Sequence, residues 1–433
     1  MVRTFYIQTM GCKANAFESG IICENLMANG FEQVKSLESA EFFILNSCTV
    51  THKSDNEAFY ILRNAKHKNL NVKTVLTGCI AQVEKEKLLE KDYIDFVVGN
   101  AEKLNMANFL GNQARINTSD IMQRVNFDEI PLVDTAKTRA SLKIQDGCDN
   151  RCSYCIIPFA RGKSRSADKN FIVKEINKFA DNGFKEVVFT GIHIGQWGKD
   201  FGLSLIDLLK AVETKTKIHR YRLGSLNPLE IDDELLNFLS QSEKFAPHFH
   251  LSLQSACNKT LKSMNRFYTV EMYLEQIDKI NEIFDLPFLG SDIITGFAGE
   301  TDEDFEITRQ NLEKSGLSKI HTFPYSRREG TIGADMPNQV ADEIKNKRAD
   351  VIKEISARKF DEFVRKNIAK TREVLIEKHP DKKTGFLKGM TDNYLPVILN
   401  SNDTEHTNTI VNVKIVSYEN GLIKAFGNNF KTL

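Results

Sequence analysis

A short apolar run, a loop and a helical pattern follow one another repeatedly along this 433-residue chain. In the clearest case, the run at 42–45 leads through the loop at 46–50 into a helical pattern that carries Phe59, Ile61 and Leu62. Alternation of this kind predicts a parallel sheet with helices on its faces. Ligands of such sheets bind just beyond the carboxyl ends of the strands. Functional residues are therefore expected where the strands end.

Three of these units fill the first hundred residues, and each places one cysteine after its strand: Cys12, Cys48 and Cys79. A single cysteine is most often a small buried hydrophobe. Three at equivalent strand ends, however, would meet at one edge of the sheet. Three thiolates there match an iron–sulfur cluster in which one iron keeps an open position. Cys23 lies inside a helical pattern and is predicted to be a core residue.

A second set of three cysteines follows a later strand with the spacing C-x3-C-x2-C, as Cys148, Cys152 and Cys155. An iron–sulfur cube normally takes four thiolates, so a loop that offers three leaves one iron free to bind another group. Zinc is the alternative, because Cys152 and Cys155 form a C-x2-C half-site. A structural zinc site usually needs a second Cys or His pair at similar spacing, and the sequence contains none.

The middle of the chain contains six short strands that alternate with helical patterns, which predicts an incomplete (β/α)6 barrel whose chemistry lies at the carboxyl rim of the strands. The predicted strands span 141–144, 186–189, 219–223, 248–254, 288–295 and 319–323. Ser252 and Gln254 alternate with apolar neighbours and therefore point into the barrel, as does Asp292. Packing or rim roles are predicted for four histidines and one cysteine: His193, His248, His250, His321 and Cys257.

The last third begins with a helical pattern at 342–372 that carries ten Lys and Arg against six Asp and Glu. A solvated helix face and a phosphate-binding face explain this excess equally well. Short strands separated by Gly, Asn and Asp turns follow, at 373–377, 394–399, 410–416 and 421–425, and predict a small β-barrel. Barrels of this kind often bind nucleic acid.

The 58 Lys and Arg balance the 58 Asp and Glu, so any nucleic-acid surface must be local. The sequence starts with a strand pattern rather than a signal peptide, and it has no apolar run long enough to span a membrane. Eight cysteines without a secretion signal indicate a reducing compartment. We therefore expect a cytoplasmic protein that does not associate with membranes.

Several strings in this order resemble the radical S-adenosylmethionine (SAM) methylthiotransferases. They are Gly11-Cys12-Lys13, Asn46-Ser47-Cys48-Thr49-Val50-Thr51, Thr77-Gly78-Cys79, Gln145-Asp146-Gly147-Cys148, Ile156-Ile157-Pro158-Phe159-Ala160-Arg161-Gly162, Leu251-Ser252-Leu253-Gln254-Ser255 and Met264-Asn265-Arg266. The resemblance covers essentially the whole chain. The first and fourth strings are similar to the branch of the family that acts on N6-threonylcarbamoyladenosine beside the tRNA anticodon.

The family resemblance implies three domains and a linker. We expect an α/β domain with the auxiliary cluster at 1–115, a linker at 116–138, a TIM-like radical SAM (β/α)6 domain at 139–370 and an RNA-binding TRAM β-barrel at 371–433.

It also implies two [4Fe–4S] clusters, one on Cys148, Cys152 and Cys155 and one on Cys12, Cys48 and Cys79. SAM would bind the open iron of the first cluster, and its reductive cleavage would give a radical that removes hydrogen from C2 of the adenine. A methylated sulfur at the second cluster would be added there. The residues expected to hold SAM are Tyr154, Thr190, Gly191, Ser252, Gln254 and Asp292. No side-chain acid or base beyond the cluster ligands is required, because the cofactors carry the difficult chemistry.

The expected partners are a tRNA anticodon loop and a reductant such as flavodoxin or ferredoxin. Two related activities stay open: methylthiolation of isopentenyladenosine in tRNA and of ribosomal protein S12. From a different class, the chain could be an iron–sulfur protein that binds RNA or carries electrons without catalysis.

Overall fold

The computed structural model describes residues 2–110, 114–131 and 137–427. The first part forms a six-stranded, all-parallel sheet in the order β2-β1-β3-β4-β5-β6. Its strands are β1 (Arg3–Thr9), β2 (Phe31–Gln33), β3 (Phe42–Ser47), β4 (Lys73–Gly78), β5 (Phe96–Val98) and β6 (Ile116–Asn117). Its helices are α1 (Lys13–Ala28), α2 (His52–Lys68) and α3 (Cys79–Glu84). The parallel sheet predicted from the alternating pattern is confirmed.

The central strand β3 explains why this sheet forms. All six of its residues are buried, because helices cover both faces of the sheet. Phe43 and Leu45 pack with Leu62 of α2, whereas Phe42 and Ile44 pack with Ile22 of α1. Burial on both faces is typical of parallel sheets and requires a continuous apolar run. The ends of these strands are thus fixed, and with them the loops that carry cysteines.

The middle of the chain forms an open barrel from two parallel sheets, β11-β10-β7 and β12-β13-β14-β15. Its strands are β7 (Ala140–Lys143), β8 (Gln145–Asp146), β9 (Arg165–Ser166), β10 (Glu186–Thr190), β11 (Arg220–Arg222), β12 (Ser225–Leu226), β13 (His248–Leu251), β14 (Phe288–Thr295) and β15 (Lys319–Pro324). Its helices are α4 (Ile157–Arg161), α5 (Lys169–Asp181), α6 (Leu205–Lys215), α7 (Asp233–Gln241), α8 (Asn258–Ser263), α9 (Val270–Ile283), α10 (Asp302–Lys314), α11 (Ile332–Asp335) and α12 (Asp342–Asn367). The segment 220–226 joins the two sheets, and β8 and β9 form a separate antiparallel pair.

Helix α12 ends five residues before the predicted helical pattern does. Its cap is Ile368, and Ala369 turns the chain with a φ of 68° so that Arg372 lies in a strand. Several of its cations are also buried rather than solvated. The Arg348 guanidinium donates to Glu300 at 2.6 Å, and the Lys359 ammonium donates to the Ser315 carbonyl at 2.6 Å. These cations therefore fasten α12 to the barrel.

The C-terminal strands close into a five-stranded barrel in the order β16-β17-β18-β20-β19. They are β16 (Thr371–Ile376), β17 (Lys388–Thr391), β18 (Pro396–Leu399), β19 (Ile410–Glu419) and β20 (Leu422–Phe426). Val374, Leu387, Val397 and Ile415 fill its interior. The predicted small β-barrel is confirmed, with β17 as a strand that the sequence did not indicate.

None of the described helices is both long and apolar enough to cross a membrane.

Candidate active site

The loop with the C-x3-C-x2-C spacing lies beyond the carboxyl end of β7, where it is held by its own backbone. The Cys148 amide donates to the Gly162 carbonyl and the Cys155 amide to the Cys152 carbonyl, both at 3.0 Å. Gly147 begins the loop with a φ of 71°, and a Cβ there would lie 1.9 Å from the Lys163 carbonyl oxygen. Only glycine fits this turn.

Cys148, Cys152 and Cys155 line one cavity at the barrel rim. Burial, reinforced by the neighbouring sulfurs of Cys152 and Cys148, raises the pKa of Cys155 to about 12. Among the described residues, no three His, Cys, Asp or Glu side chains converge on a position for a single metal ion. Three sulfurs around a shared cavity fit a larger group, such as a cluster of irons.

Two hydrogen-bonding side chains contact these sulfurs. The Arg266 guanidinium lies 3.2 Å from the Cys152 sulfur, and His193 Nδ1 lies 3.6 Å from the Cys148 sulfur. The other ring nitrogen of His193 lies 2.5 Å from Glu230. Burial acts to lower the pKa of His193, but the contacts with Cys148 and Glu230 outweigh it and raise this pKa to about 9. Donors of this kind stabilise negative charge on cluster sulfurs.

The sequence did not predict that either Arg266 or His193 contacts a cysteine sulfur. Arg266 was part of a matching string without a role, and His193 was predicted to be a packing or rim residue. The carboxylate that orients His193 comes from Glu230, far along the chain. The sequence therefore held no local signal for this pair, whereas a cation in the matching string could have drawn attention to Arg266.

Four of the six residues predicted to hold SAM line the cavities at this rim. Tyr154, Ser252 and Gln254 line the cavity of the three cysteines, and Asp292 joins Tyr154 and Gln254 in an adjacent one. Gln254 has a φ of 71°, a strained value for a residue other than glycine. Its backbone amide donates to the Asp292 carbonyl at 2.8 Å, and this bond joins the two strand ends.

The other two, Thr190 and Gly191, are not among the described residues that line either cavity. A Cβ on Gly191 would lie 2.9 Å from the Gln145 carbonyl oxygen, so the glycine allows close packing against β8. The Gln145 side chain also accepts from the His193 amide and donates to the Gly147 carbonyl. Gln145, which had no predicted role, thereby joins the β10 loop to the cysteine loop.

The three cysteines of the first domain also lie close together. Cys12 precedes α1, Cys48 follows β3 and Cys79 begins α3. Burial, followed by the nearby Cys79 sulfur, raises the pKa of Cys48 to about 11. A Cβ on Gly11, next to Cys12, would lie 3.1 Å from the Cys48 sulfur. The expected convergence at one sheet edge is therefore consistent with the structure.

The two remaining cysteines lie elsewhere. Cys23 packs beside the buried cluster around Ile22 on α1. Cys257 is buried at the start of α8, and its sulfur lies 3.7 Å from an Asp304 carboxylate oxygen.

One cavity lies between the C-x3-C-x2-C loop and the residues that follow Cys48. Val50 and Thr51, which follow Cys48 in the first domain, form one side of it. Cys155 and Tyr154 of the C-x3-C-x2-C loop form another side, together with the residues at 323–326 after β15. A substrate in this cavity would contact both loops.

An open parallel barrel with three cysteines in the loop after its first strand defines the class of radical SAM enzymes. The Radical SAM superfamily model matches residues 142–312, and the model of the uncharacterized protein family UPF0004 matches residues 4–99. The structure of the radical S-adenosylmethionine methyltransferase TsrM from Kitasatospora setae is similar in fold, with a TM-score of 0.57 at 14% identity over 77% of each chain.

Relatives define the family more narrowly. The threonylcarbamoyladenosine tRNA methylthiotransferase MtaB of Bacillus subtilis is 33% identical over 424 residues, which cover 95% of this chain and 94% of the relative. The tRNA-2-methylthio-N(6)-dimethylallyladenosine synthase of Petrotoga mobilis is 36% identical over 416 residues, covering 92% and 93%. The chain belongs to the radical SAM methylthiotransferase family. Membership implies a [4Fe–4S] cluster and SAM as cofactors.

Proposed function

We propose that this enzyme adds a methylthio group to C2 of N6-threonylcarbamoyladenosine next to the anticodon of tRNA. The observation that carries the addition of a methylthio group is the cavity lined both by Cys155 and by the residues that follow Cys48. Similarity to MtaB over 95% of the chain, together with the strings around Cys12 and Cys148, favours this nucleoside.

In this proposal Cys148, Cys152 and Cys155 hold the [4Fe–4S] cluster at the barrel rim. Tyr154, Thr190, Gly191, Ser252, Gln254 and Asp292 bind SAM. The cluster and SAM supply one-electron chemistry that removes hydrogen from an unactivated carbon. Arg266 and His193 donate to the sulfurs of Cys152 and Cys148, and a Glu230 carboxylate oxygen lies 2.5 Å from the other ring nitrogen of His193.

A second [4Fe–4S] cluster on Cys12, Cys48 and Cys79 is the proposed place where the sulfur is added. The sulfurs of Cys79 and Cys12 both act to raise the pKa of Cys48, and the residues that follow Cys48 share a cavity with Cys155. An electron donor such as flavodoxin or ferredoxin is part of the proposal.

The tRNA would dock on a basic cleft between the first domain, the segment at 137–139 and the C-terminal barrel. Six cations line this cleft against two carboxylates, Glu377 and Asp381, although the chain as a whole is neutral. The cations are Lys13, Lys137, Arg139, Lys382, Lys383 and Lys388. A local excess of this kind matches the phosphate backbone of RNA.

The apolar part of the lining of the cavity shared by Cys155 and the residues that follow Cys48 favours a second candidate substrate. Val50, Ile294 and Phe323 line it and would suit an isopentenyl group better than the carboxylate of a threonylcarbamoyl group. The relative from Petrotoga mobilis carries the dimethylallyl substrate in its name. Dimethylallyladenosine in tRNA is therefore the alternative to test.

Nucleoside mass spectrometry decides between them. The chain is expressed in a bacterial strain that lacks its own tRNA methylthiotransferases, and tRNA is digested and analysed. We expect the 2-methylthio form of N6-threonylcarbamoyladenosine. The 2-methylthio form of the dimethylallyl nucleoside alone would select the second candidate, and absence of both would reject the proposal.

Cysteine variants test whether one cysteine site cleaves SAM and the other supplies the sulfur. With reconstituted protein, SAM and reductant, Cys148→Ala should abolish both 5′-deoxyadenosine and methylthiolated tRNA. Cys12→Ala should still release 5′-deoxyadenosine but form no methylthiolated nucleoside. Cys23→Ala is the matched control and should resemble the unaltered chain. Loss of both products in Cys12→Ala, with the iron of the cluster on Cys148, Cys152 and Cys155 retained, would contradict separate roles.

A further inference from the structure

A buried group of charges lies between helix α1 of the first domain and the C-x3-C-x2-C loop of the barrel. Each of its members is at most 5% exposed. They are Glu18, Lys103, Lys143, Asp146, Arg161 and Arg165. We call this set the interdomain charge cluster.

Arg161 lies at the centre of the interdomain charge cluster. Its two terminal nitrogens donate to the Glu18 carboxylate at 2.8 and 3.0 Å. One of them also donates to Asp146 at 3.1 Å, and the other donates to the Asn15 side chain at 2.5 Å. This planar fork is a geometry that lysine cannot reproduce.

The partners of Arg161 lead directly to cysteine loops. The Asn15 amide donates to the carbonyls of Met10 and Ser47, both at 2.9 Å, and these residues precede Cys12 and Cys48. On the other side, Asp146 accepts from the Gly147 amide at 2.9 Å, one residue before Cys148. One guanidinium thus connects the backbone of both cysteine sites.

The third cysteine of the first domain is connected through the same helix as Arg161. The Asn100 amide donates to the Ala160 carbonyl at 2.7 Å and lies 3.9 Å from the Cys79 sulfur. The Lys103 ammonium lies 2.5 Å from Glu18. Burial lowers the pKa of Lys103, although Glu18 and, more weakly, the Cys79 sulfur act to raise it.

The interdomain charge cluster has four cations and two carboxylates, a formal excess of two positive charges. The Glu18 carboxylate accepts from Arg161 and lies 2.7 Å from the Lys143 ammonium. The Asp146 carboxylate accepts from Arg161 and from Arg165. The two carboxylates are therefore shared among the cations. Uncompensated charge in a protein interior is strongly unfavourable. An anionic group beside Cys79 would offset the excess.

We propose that Arg161 is a positioning residue shared by the two cysteine sites, and that the positive excess of the interdomain charge cluster stabilises an anionic iron–sulfur group on Cys12, Cys48 and Cys79. The proposal rests on the second cluster of the proposed function. It adds which residues hold the two sites in register and which charges compensate the metal-bound thiolates.

Two variants separate geometry from charge. Arg161→Lys keeps the positive charge but removes the planar guanidinium. The ratio of methylthiolated nucleoside to 5′-deoxyadenosine should therefore fall by about tenfold, as is usual when a residue that supports metal ligands is replaced. Lys103→Met removes a charge beside Cys79, so the reduction potential of the cluster in the first domain should become more negative. Arg358→Lys, on the exposed face of α12, is the matched control for both measurements.

The experiment uses the full chain after anaerobic reconstitution, with iron analysis, redox titration followed by electron paramagnetic resonance, and product ratios. Asn15→Ala provides a second test of the geometry without a change of charge, and it should uncouple the products while leaving the potentials unchanged. If Arg161→Lys does not fold, Asn15→Ala and Lys103→Met decide.

Different experimental results would reject the proposed function and the present inference. Iron for only one cluster in the unaltered chain would reject the second cluster itself. If the unaltered chain holds two clusters, either of two results would overturn only the present inference. One is an unchanged ratio of methylthiolated nucleoside to 5′-deoxyadenosine in Arg161→Lys and Asn15→Ala. The other is an unchanged reduction potential of the cluster in the first domain in Lys103→Met.

Discussion

Glu186 is the buried acid on which the attachment of the C-terminal barrel depends. It begins β10 and is completely buried. It accepts from the guanidinium groups of Arg220 at 2.5 Å and Arg222 at 2.9 Å. The same arginines donate to the backbone carbonyls of 390–392 at 2.6 to 2.9 Å. Substituting Glu186→Gln would leave two buried cations without their carboxylate.

Two routes give a similar magnitude for this change. Removing one partner of a buried ion pair destabilises a protein by roughly 3–5 kcal/mol. Burial acts to raise the pKa of Glu186, but Arg222 and Arg220 outweigh it and lower this pKa from 4.5 to about 2. A decrease of that size corresponds to about 3 kcal/mol. We therefore expect Glu186→Gln to lower the free energy of unfolding by about 3 kcal/mol at neutral pH.

The pH dependence has a definite direction. Because the folded-state pKa is depressed, the stabilisation is present above pH 4.5 and is lost as the pH falls towards 2. The difference between Glu186→Gln and the unaltered chain should thus shrink across this window.

Urea denaturation measures the effect. Trp197, the single tryptophan, is buried in the large barrel and reports its unfolding by fluorescence, and limited proteolysis reports release of the small barrel. Glu234→Gln, at an exposed pair with Lys210, is the control and should change stability by less than about 0.5 kcal/mol. A Glu186→Gln variant as stable as this control, or a deficit that persists undiminished at pH 3, would refute the assigned role.

Three further changes test other parts of the structure. Arg266→Lys removes a guanidinium bond to a cluster-loop sulfur, so 5′-deoxyadenosine formation by the reconstituted protein should fall by about tenfold or more, and an unchanged rate would exclude a role for that bond. Gly195→Ala would place a Cβ 2.0 Å from a Glu230 carboxylate oxygen, so the free energy of unfolding should decrease by about 1–3 kcal/mol in urea; equal stability would show that Glu230 moves freely. Leu62→Ala, in the first core, should destabilise by about 2–5 kcal/mol, whereas Leu70→Ala, 85% exposed, should have almost no effect in the same titration.

Much of the fold could be predicted because apolar runs specify strands that are buried on both faces. The predicted strand at 288–295 is β14 itself, and the one at 186–189 lies within β10. Strand β17 was missed since its sequence, Lys-Gly-Met-Thr, has one large apolar residue and becomes a strand through closure of the barrel. The end of α12 was missed because no glycine or proline marks it.

The candidate site was predictable where spacing along the chain carries the information. Three cysteines within eight residues, and one after each of three strands, predicted two groups of cysteines, and the structure brings the members of each group near one another. Contacts between distant segments, such as Glu230 with His193 or Arg161 with Glu18, leave no pattern in the sequence. The domain bounds, the cluster-ligand roles of the six cysteines, the SAM-binding residues, the second cluster, the reductant and the cytoplasmic location stay predictions.

The contacts of Arg220 and Arg222 with the carbonyls at 390–392 have a consequence for how an RNA would be read. They attach the small barrel to the large one at strand β11, whereas the cysteine loop lies beyond the carboxyl end of β7. If RNA binds at the proposed basic cleft, these contacts would help to set its distance from the cysteine loop. The protein would then select an adenosine by its distance from the RNA segment bound in the cleft as well as by its chemical modification.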